Sequence, residues 1–433
     1  MANRIMKYSG IDWIGDIPQN WDISKVGYIL KRSNKLYVDG TTVLSLYREY
    51  GVIPKDSRDD NYNVTSEDLS KYRYVNIGDL VVNKMKAWQG SLAVSNYNGV
   101  VSPAYFVYNF YKNNVYVNYI HYLLRSTYKD EFKRLSGGIR VGQWDLPANL
   151  FEKVPIILPP LKEQKLIADY LDNKCNEIDK LKEDITKQID ILKEYKQSVI
   201  TETVTKGLDS NVPMKNSGID WIGKIPQNWE VTKIKYISNL SGRIGWQGLT
   251  SNEYSDTGAY LITGTDFDNG TINWKTCVHI PFERWEEATQ IQIQNGDLLI
   301  TKDGTVGKVA LVNNMPDKTS LNSGVLLIRT FENYNTKFLF WVLKSNIFWK
   351  WFFKINAGNS TIIHLYQKDF ANFSFPIMNL SEQKVIVNYL DNKCAEIDKI
   401  ISSKEEQLNT LEEYKKSLIY EYVTGKKEVP QES

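Results

Sequence analysis

The residue types that commonly perform catalysis are scattered along this chain of 433 residues. Its three histidines and three cysteines form no CxxC pair and no metal-ligand spacing, so no nucleophile, base and orienting group can be assembled from them. The segment Gly304-Thr-Val-Gly-Lys308 has two residues between its glycines where a P-loop has four, and Val309 replaces the Ser or Thr that holds Mg²⁺. We therefore predict no catalytic residue and no metal site, and the sequence favours a binding protein over an enzyme.

The basic residues are concentrated in one part of the chain, although the net charge is only +2. Residues 21–160 contain 18 Lys and Arg residues against 13 Asp and Glu residues, whereas residues 161–206 contain 9 against 10. Residues 229–378 are nearly balanced, with 14 against 13. Because clustered positive charge attracts polyanions, we expect any polyanion to meet these two mixed segments, most clearly the first.

Both mixed segments belong to an internal repeat. Ser9-Gly-Ile-Asp-Trp-Ile-Gly-Asp-Ile-Pro-Gln-Asn-Trp21 returns as Ser217-Gly-Ile-Asp-Trp-Ile-Gly-Lys-Ile-Pro-Gln-Asn-Trp229, with one substitution. Further on, Leu171-Asp-Asn-Lys-Cys175 returns 219 residues later as Leu390-Asp-Asn-Lys-Cys394. The two halves match at their ends and diverge between them, so each half consists of a short leading segment, a variable body and a tail.

The two tails are predicted to be long helices. Neither Pro nor Gly occurs from residue 161 to 206, and apolar residues recur every seven positions, as in a coiled-coil seam. The predicted seam contains Leu171, Ile178, Ile185, Leu192 and Val199 in the first tail and Leu390, Ile397, Leu411 and Leu418 in the second, with Leu181, Tyr195, Ile400 and Tyr414 at the intervening d positions. Because helices this long with an apolar stripe are not stable alone in water, we expect the two tails to pack on each other.

Each body is predicted to mix strands and helices. Gly78-Asp-Leu-Val-Val82 and Gly296-Asp-Leu-Leu-Ile300 are each a turn followed by a strand, and each leads to a lysine, a glycine-bearing loop and a second apolar run, the pattern of a hairpin. We divide the chain into a leading segment (1–21), a first body (22–160), a central helix (161–206), a linker with the second leading segment (207–229), a second body (230–379), a C-terminal helix (380–424) and a tail (425–433).

Short motifs recur in the same order in both halves. They are Ile17-Pro-Gln-Asn-Trp21 and Ile225-Pro-Gln-Asn-Trp229, then Gly78-Asp-Leu80 and Gly296-Asp-Leu298, then Ile157-Leu-Pro-Pro-Leu-Lys-Glu-Gln164 and Phe375-Pro-Ile-Met-Asn-Leu-Ser-Glu-Gln383. Two different bodies on two near-identical arms with these motifs resemble the specificity subunit of a type I restriction–modification system. The resemblance covers nearly the full length, and it departs only where Met378-Asn-Leu-Ser381 replaces the Pro-Pro pair.

The resemblance implies an α+β fold class, in which two α/β target recognition domains are separated by two long antiparallel coiled-coil helices in an internal two-fold repeat. Each recognition domain would read one half of an asymmetric, split site on double-stranded DNA. The chain would dock two methyltransferase subunits and motor-nuclease subunits and would perform no chemistry itself. We expect no cofactor on this chain, and S-adenosylmethionine, ATP and Mg²⁺ on those partners.

Residues expected to contact DNA are exposed polar or basic side chains in loops, among which Arg and Lys can bind phosphate or guanine and Asn and Gln can bind adenine. In the first body they are Arg48, Arg58, Lys84, Lys86, Gln89, Arg140 and Gln143, and in the second Arg243, Gln247, Lys302, Lys308, Asn359 and Ser360. For each of them, an ordinary solvated surface residue is the alternative.

Two other functions compete with DNA-sequence selection. One is a coiled-coil scaffold that binds only proteins, although a scaffold needs no pair of large divergent bodies. The other is a stand-alone DNA methyltransferase or nuclease, but Ser102-Pro-Ala-Tyr105 lacks the second Pro of the adenine methyltransferase motif. The lack of a run of eighteen apolar residues predicts no membrane span, and the scattered cysteines favour the cytoplasm.

Overall fold

A computed structural model describes residues 4–48, 50–58, 65–66, 68–138, 144–245, 248–357 and 364–430. Its internal contacts group the chain into two units, one formed by residues 1–185 with 406–433 and the other by residues 186–405. Each unit therefore contains one body and a stretch of both long helices.

The first unit follows the order of leading segment, body and tail. Its strands are β1 (Met6–Tyr8), β2 (Asp16–Pro18), β3 (Asp22–Lys25), β4 (Leu30–Arg32), β5 (Leu44–Tyr47), β6 (Gly51–Pro54), β7 (Arg73–Val75), β8 (Leu80–Asn83), β9 (Leu92–Val94), β10 (Gly99–Val101), β11 (Tyr105–Phe110) and β12 (Pro155–Leu158). Its helices are α1 (Val26–Ile29), α2 (Val117–Thr127), α3 (Lys129–Leu135), α4 (Ala148–Phe151) and the first part of α5 (Leu161–Lys206).

The body of the first unit is built on a four-stranded antiparallel sheet with the order β4-β11-β8-β9. The predicted hairpin is present, because β8 and β9 pair antiparallel with Val81 opposite Ala93. All residues of β8 and β9 are buried. The separate pairs β3–β12, β5–β6 and β7–β10 complete the body.

The second unit repeats this order. Its strands are β13 (Met214–Asn216), β14 (Lys224–Pro226), β15 (Glu230–Lys233), β16 (Ser238–Gly242), β17 (Ala259–Ile262), β18 (Phe267–Asp268), β19 (Thr271–Ile272), β20 (Val278–Ile280), β21 (Leu298–Thr301), β22 (Val309–Leu311), β23 (Thr319–Leu321), β24 (Val325–Thr330) and β25 (Ser374–Ile377). Its helices are α6 (Ile234–Ile237), α7 (Phe282–Glu286), α8 (Thr336–Lys344), α9 (Asn346–Ile355), α10 (Gln367–Phe370) and the first part of α11 (Leu380–Val423).

The two bodies share a frame and differ around it. The sheet β16-β24-β21-β22 repeats the order of β4-β11-β8-β9, and the pair β15–β25 repeats β3–β12. Beside this frame the second body has a three-stranded sheet, β20-β17-β23, in which β17 and β23 are parallel, where the first body has separate antiparallel pairs. The divergence in sequence is therefore a divergence of peripheral strands and loops on one scaffold.

The long helices run antiparallel within each unit. In the first unit Lys415 Nζ lies 2.6 Å from Asp179 Oδ1, and Lys182, further along α5, pairs with Glu412, further back along α11. In the second unit Lys196 Nζ lies 2.6 Å from Asp398 Oδ1. This pair is the repeat equivalent of Lys415–Asp179, so the same contact holds the helices together in both units.

One row of the predicted seam was misplaced. The residues predicted at every seventh position are buried or half-buried, but Leu181, Tyr195, Ile400 and Tyr414 are exposed. The second row of each helix lies one residue later, at Cys175, Lys182, Ile189 and Lys196 and at Cys394, Ile401, Leu408 and Lys415. A heptad alternates steps of three and four residues, and the sequence favoured the wrong step because the correct row contains lysines.

The leading segments are fixed by their last residues. Trp21 and Trp229 are fully buried. Trp21 Nε1 donates a hydrogen bond to Glu163 Oε2 at 3.1 Å, and Trp229 Nε1 donates to Glu382 Oε1 at 2.8 Å. Each repeated motif thus ties a leading segment to the first turn of a long helix, since both glutamates stand in that turn.

Glycine ends each long helix where it meets a leading segment. Gly425 has φ +73°, and a Cβ there would lie 2.5 Å from Pro18 Cδ. At Gly207, with φ +77°, a Cβ would lie 3.2 Å from the Trp229 ring. A left-handed glycine is a common helix C-cap, and here it also allows the leading segment to approach closely.

Two further features of the fold concern the state of the cysteines and the apolar character of the helices. Cys175, Cys277 and Cys394 are buried free thiols. None of the helices in the described part of the chain combines the length and apolar character needed to cross a membrane.

Candidate nucleic-acid interface

Arg48 and Gln89, two predicted DNA-contact residues of the first body, are 41 residues apart in the sequence and in contact in the structure. Arg48 lies on the turn between β5 and β6, and its Nη2 donates to Gln89 Oε1 at 3.0 Å. Gln89 ends a single 3₁₀ turn, Ala87–Gln89, in the loop between β8 and β9. Arg48 is exposed and Gln89 half-buried, so the guanidinium and the amide form one polar group at the surface.

A third segment joins this group through Lys84. The backbone N–H of Leu146 donates to Lys84 O at 2.9 Å, and Lys84 Nζ donates to Asp145 Oδ2 at 3.1 Å. The ring centres of Trp88 and Trp144 lie 5.5 Å apart, so the two segments also contact each other through these indoles. We call Arg48, residues 84–90 and residues 144–146 the first loop cluster.

Lys86, Arg58 and Lys84 differ in how strongly other groups of the protein hold their side chains. Lys86 is exposed within the first loop cluster. The Arg58 guanidinium lies 4.4 Å from the ring centre of Tyr50, a cation–π contact next to the β5–β6 hairpin. The Lys84–Asp145 pair is partly exposed on both sides, and such pairs contribute about 0–1 kcal/mol, so DNA phosphate can compete for Lys84.

The second body places Lys302 and Lys308 at the two ends of the loop between β21 and β22. Thr301 closes this loop, because its backbone N–H donates to Lys308 O and its Oγ1 accepts from Lys308 N–H, both at 2.9 Å. Lys308 is exposed and Lys302 half-buried. His364 pairs with Asp303 across this loop. We call residues 302–308 and 364–367 the second loop cluster.

An equivalent backbone hydrogen bond holds each loop cluster together. Leu365 N–H donates to Lys302 O at 3.0 Å, as Leu146 N–H donates to Lys84 O at 2.9 Å in the first body. Leu146 and Leu365 are separated by the repeat offset of 219 residues. Different side chains are therefore presented from equivalent backbone positions.

Arg243 was predicted to contact DNA, and the structure argues against this. Its side chain is 6% exposed. Its Nε donates to Leu321 O at 2.8 Å and its Nη2 to Ser320 Oγ at 2.9 Å. Burial, with a smaller effect of Arg284, lowers the pKa of Arg243 to about 10. We assign Arg243 a structural role, bracing β16 against β23, because a buried guanidinium with its donors used is not available to a duplex.

Five predicted contacts, Arg140, Gln143, Gln247, Asn359 and Ser360, lie outside the described residues.

The acidic residues of both loop clusters were not among the residues predicted from the sequence. Asp145 and Asp303 pair with Lys84 and His364, respectively. The sequence held a signal for Asp145. Leu146 and Leu365 are separated by the repeat offset, which marks them as equivalent positions, and Asp145 directly precedes Leu146. Within the described part of the chain, no group of three or more His, Cys, Asp or Glu side chains has the arrangement of a metal site.

Comparison with known proteins decides the family. A family model described as the type I restriction modification DNA specificity domain matches residues 18–190 and 226–413. The chain belongs to this family. Its two matches coincide with the two halves of the internal repeat.

Full-length relatives and solved structures of specificity subunits are similar to the chain. The MjaVIII specificity subunit of Methanocaldococcus jannaschii is 25% identical over 95% of this chain and 93% of that protein. A chain from a structure on complex assembly and conformational transition of the type I system has the same fold, with a TM-score of 0.71 at 15% identity, over 94% of this chain and 98% of that one. The HsdS subunit from Thermoanaerobacter tengcongensis has a TM-score of 0.54 at 15% identity with the same coverage.

These findings confirm the predicted family and fold class. The protein is a DNA sequence-specificity subunit of a type I restriction–modification complex, a non-catalytic role, as predicted. The scaffold alternative is not favoured. The specificity subunit therefore acts by selecting DNA, and its loop clusters present different side chains from equivalent backbone positions of the two bodies.

Proposed function

We propose that the specificity subunit reads an asymmetric, split site on double-stranded DNA, one half with each loop cluster. The observation that carries this proposal is the shared anchor, in which Leu146 holds Lys84 and Leu365 holds Lys302. Phosphate contacts position a protein on DNA, whereas base contacts specify the sequence. Two readers of different sequences need a common frame with different side chains, and the two bodies have this arrangement.

The first loop cluster offers direct readout. An arginine can bind guanine through O6 and N7, and a glutamine can bind adenine through N6 and N7. The hydrogen bond between Arg48 and Gln89 holds these two groups next to each other. Lys86 is exposed beside them, where its charge can meet a phosphate. In the second loop cluster, Lys308 has the corresponding exposure.

Salt dependence of DNA binding tests the phosphate contacts. In the complex of the chain with its modification subunits, Lys86→Ala and Lys308→Ala should each reduce the slope of log affinity against log salt by about one. Gln89→Ala should instead cost about 1–3 kcal/mol and relax one base-pair position. Lys153→Ala, an exposed lysine elsewhere in the first body, is the control. Unchanged slopes for both lysine variants would remove the loop clusters from the DNA face.

The partners are proposed to be two methyltransferase subunits, with motor-nuclease subunits joining them. Each unit exposes an equivalent set of apolar residues on its long helices: Leu166, Leu181 and Tyr414 in the first, and Val385, Ile400 and Tyr195 in the second. These side chains are 47–57% exposed. Exposed apolar residues that recur in both units fit a partner that binds twice.

Native mass spectrometry of the assembled complex tests this stoichiometry. Leu181→Lys and Ile400→Lys should each reduce the number of bound methyltransferase subunits from two to one, and the double variant should bind none. Lys153→Ala, at an exposed residue outside both long helices, should retain two. Retention of two subunits by the double variant would place the docking surface elsewhere.

The cofactors are proposed to belong to these partners, with S-adenosylmethionine on the methyltransferase subunits and ATP and Mg²⁺ on the motor-nuclease subunits. Residues of this chain select the sequence and position the partners on it. We propose the cytoplasm as the compartment, because that is where such a complex would meet its DNA.

A further inference from the structure

Helix α2 holds the turn that carries Arg48. Arg125, in the last turn of α2, donates through Nη2 to the backbone carbonyl of Arg48. Arg48 in turn donates through its own Nη2 to Gln89 Oε1 at 3.0 Å. Three residues from three separate elements are therefore linked by hydrogen bonds, from α2 through the backbone and side chain of Arg48 in the β5–β6 turn to the loop between β8 and β9.

His121 braces Arg125 one helical turn earlier. Its Nε2 lies 3.2 Å from Arg125 Nη1, and its Nδ1 accepts a hydrogen bond from Val94 N–H at 3.1 Å. Burial and the neighbouring guanidinium lower the pKa of His121 to about 3. The imidazole is therefore neutral at neutral pH, and it can lie beside Arg125 without repelling it.

Two tyrosines anchor α2 to the long helices. Tyr122 OH donates to Asp172 Oδ1 of α5 at 2.6 Å, and Tyr119 OH donates to Val423 O of α11 at 2.9 Å. Because α2 is bonded to both long helices, Arg125 holds the Arg48 carbonyl from a helix that is itself fixed within the first unit.

We propose that Arg125 is a positioning residue for DNA-sequence selection by the first body, which holds the Arg48 turn so that Arg48 and Gln89 meet the base edges together. The inference rests on the proposed function, in which the first loop cluster faces DNA. Discrimination between bases depends on hydrogen-bond geometry, and a turn free to move would present the same donors at varying angles. Arg125 itself contacts no DNA in this role.

The equivalent position of the second body holds a different residue with different contacts. Lys344 occupies the last residue of α8, 219 residues after Arg125. Its Nζ lies 5.1 Å from the Phe340 ring centre, and burial lowers its pKa. Loss of Arg125 should therefore affect one half-site only, and Lys344→Met is a matched control in the other body.

Base discrimination by the chain assembled with its modification subunits tests the inference. Affinity is measured for the full site and for sites with single substitutions in each half. Arg125→Met should reduce discrimination about tenfold at the positions that Arg48→Met also relaxes, with the other half-site unchanged. The double variant should relax these positions no further than Arg48→Met alone, because the two residues act in series. Arg125→Lys keeps the charge and a donor but cannot reach His121 and Arg48 with two separate nitrogens, so it should restore only part of the discrimination lost in Arg125→Met.

Each other outcome has a distinct meaning. If Arg48→Met relaxes a position and Arg125→Met does not, the inference is wrong and the proposed function stands. If Arg48→Met changes no position, the first loop cluster does not read DNA, and both fail. Equal loss at both half-sites with a lowered melting temperature would mean a general structural role, which also overturns the inference. Should Arg125→Met not fold, Arg125→Gln, with its shorter side chain, is measured in the same way.

Discussion

The corrected position of the seam predicts that two substitutions in α5, Ile178→Asp and Leu181→Asp, differ strongly in their effect on stability. Ile178 is 5% exposed and belongs to the same apolar core as Leu171 and Leu418. Leu181, three residues later, is 52% exposed. Aspartate has the same intrinsic helix propensity at either position, so Ile178→Asp and Leu181→Asp differ mainly in what they bury.

The expected difference is several kilocalories per mole. Ile178→Asp loses the burial of an isoleucine, about 2–3 kcal/mol, and places a carboxylate without a partner among apolar side chains. Together these effects should lower the free energy of unfolding by about 3–5 kcal/mol. Leu181→Asp should change it by about 0.5 kcal/mol, as is usual for surface substitutions. For a unit of this size, about 1 kcal/mol corresponds to roughly 2–4 °C in melting temperature.

Differential scanning calorimetry of the full chain measures both variants against wild type. We expect Ile178→Asp to lower the melting temperature of the first unit by about 10 °C and Leu181→Asp by about 2 °C or less. The deficit of Ile178→Asp should shrink as pH falls from 7 to 5, because burial favours the neutral carboxyl. Equal melting temperatures for the two variants, or a larger loss for Leu181→Asp, would refute the placement of the seam.

Three further predictions follow from the bodies and their joints. Replacing residues 22–160 by the corresponding segment of another family member should change one half of the methylated motif; methylome sequencing that finds both halves changed would contradict modular reading. Since burial and Arg125 hold the pKa of His121 at about 3, below its ordinary 6.5, only the unfolded chain gains a proton as pH falls through 6.5. This contribution to stability is complete above that pH, and about 2 kcal/mol should be lost by pH 5. Thermal melts above pH 6.5 and at pH 5 should show this loss in wild type but not in His121→Asn. An equal loss in the variant would contradict the prediction. Glu382→Ala removes the acceptor of the buried Trp229 N–H and should destabilise the second unit by about 1–3 kcal/mol; an unchanged melting temperature would show that this hydrogen bond contributes nothing.

Local patterns in the sequence were sufficient for the elements that depend on neighbours along the chain. The helix from Leu161 to Lys206 has no Pro or Gly and a sustained heptad, and it forms over the predicted residues. The hairpin of β8 and β9 follows from two apolar runs around a glycine-bearing loop. The internal repeat also predicted that each half consists of a leading segment, a body and a helical tail, and both units follow this order.

Contacts between distant residues were decided by the tertiary structure. Spacing alone could not tell that Lys182 and Lys415 belong to the seam, because their partners Glu412 and Asp179 come from the other helix. Nor could it separate the exposed Arg48 from the buried Arg243, since both are arginines in polar segments and only the surrounding strands determine their burial. The sequence determined what each segment can form and that it does so twice. The tertiary structure decided which charged side chains are used inside the fold and which remain at the surface, because burial and hydrogen-bond partners arise only when separate segments pack together.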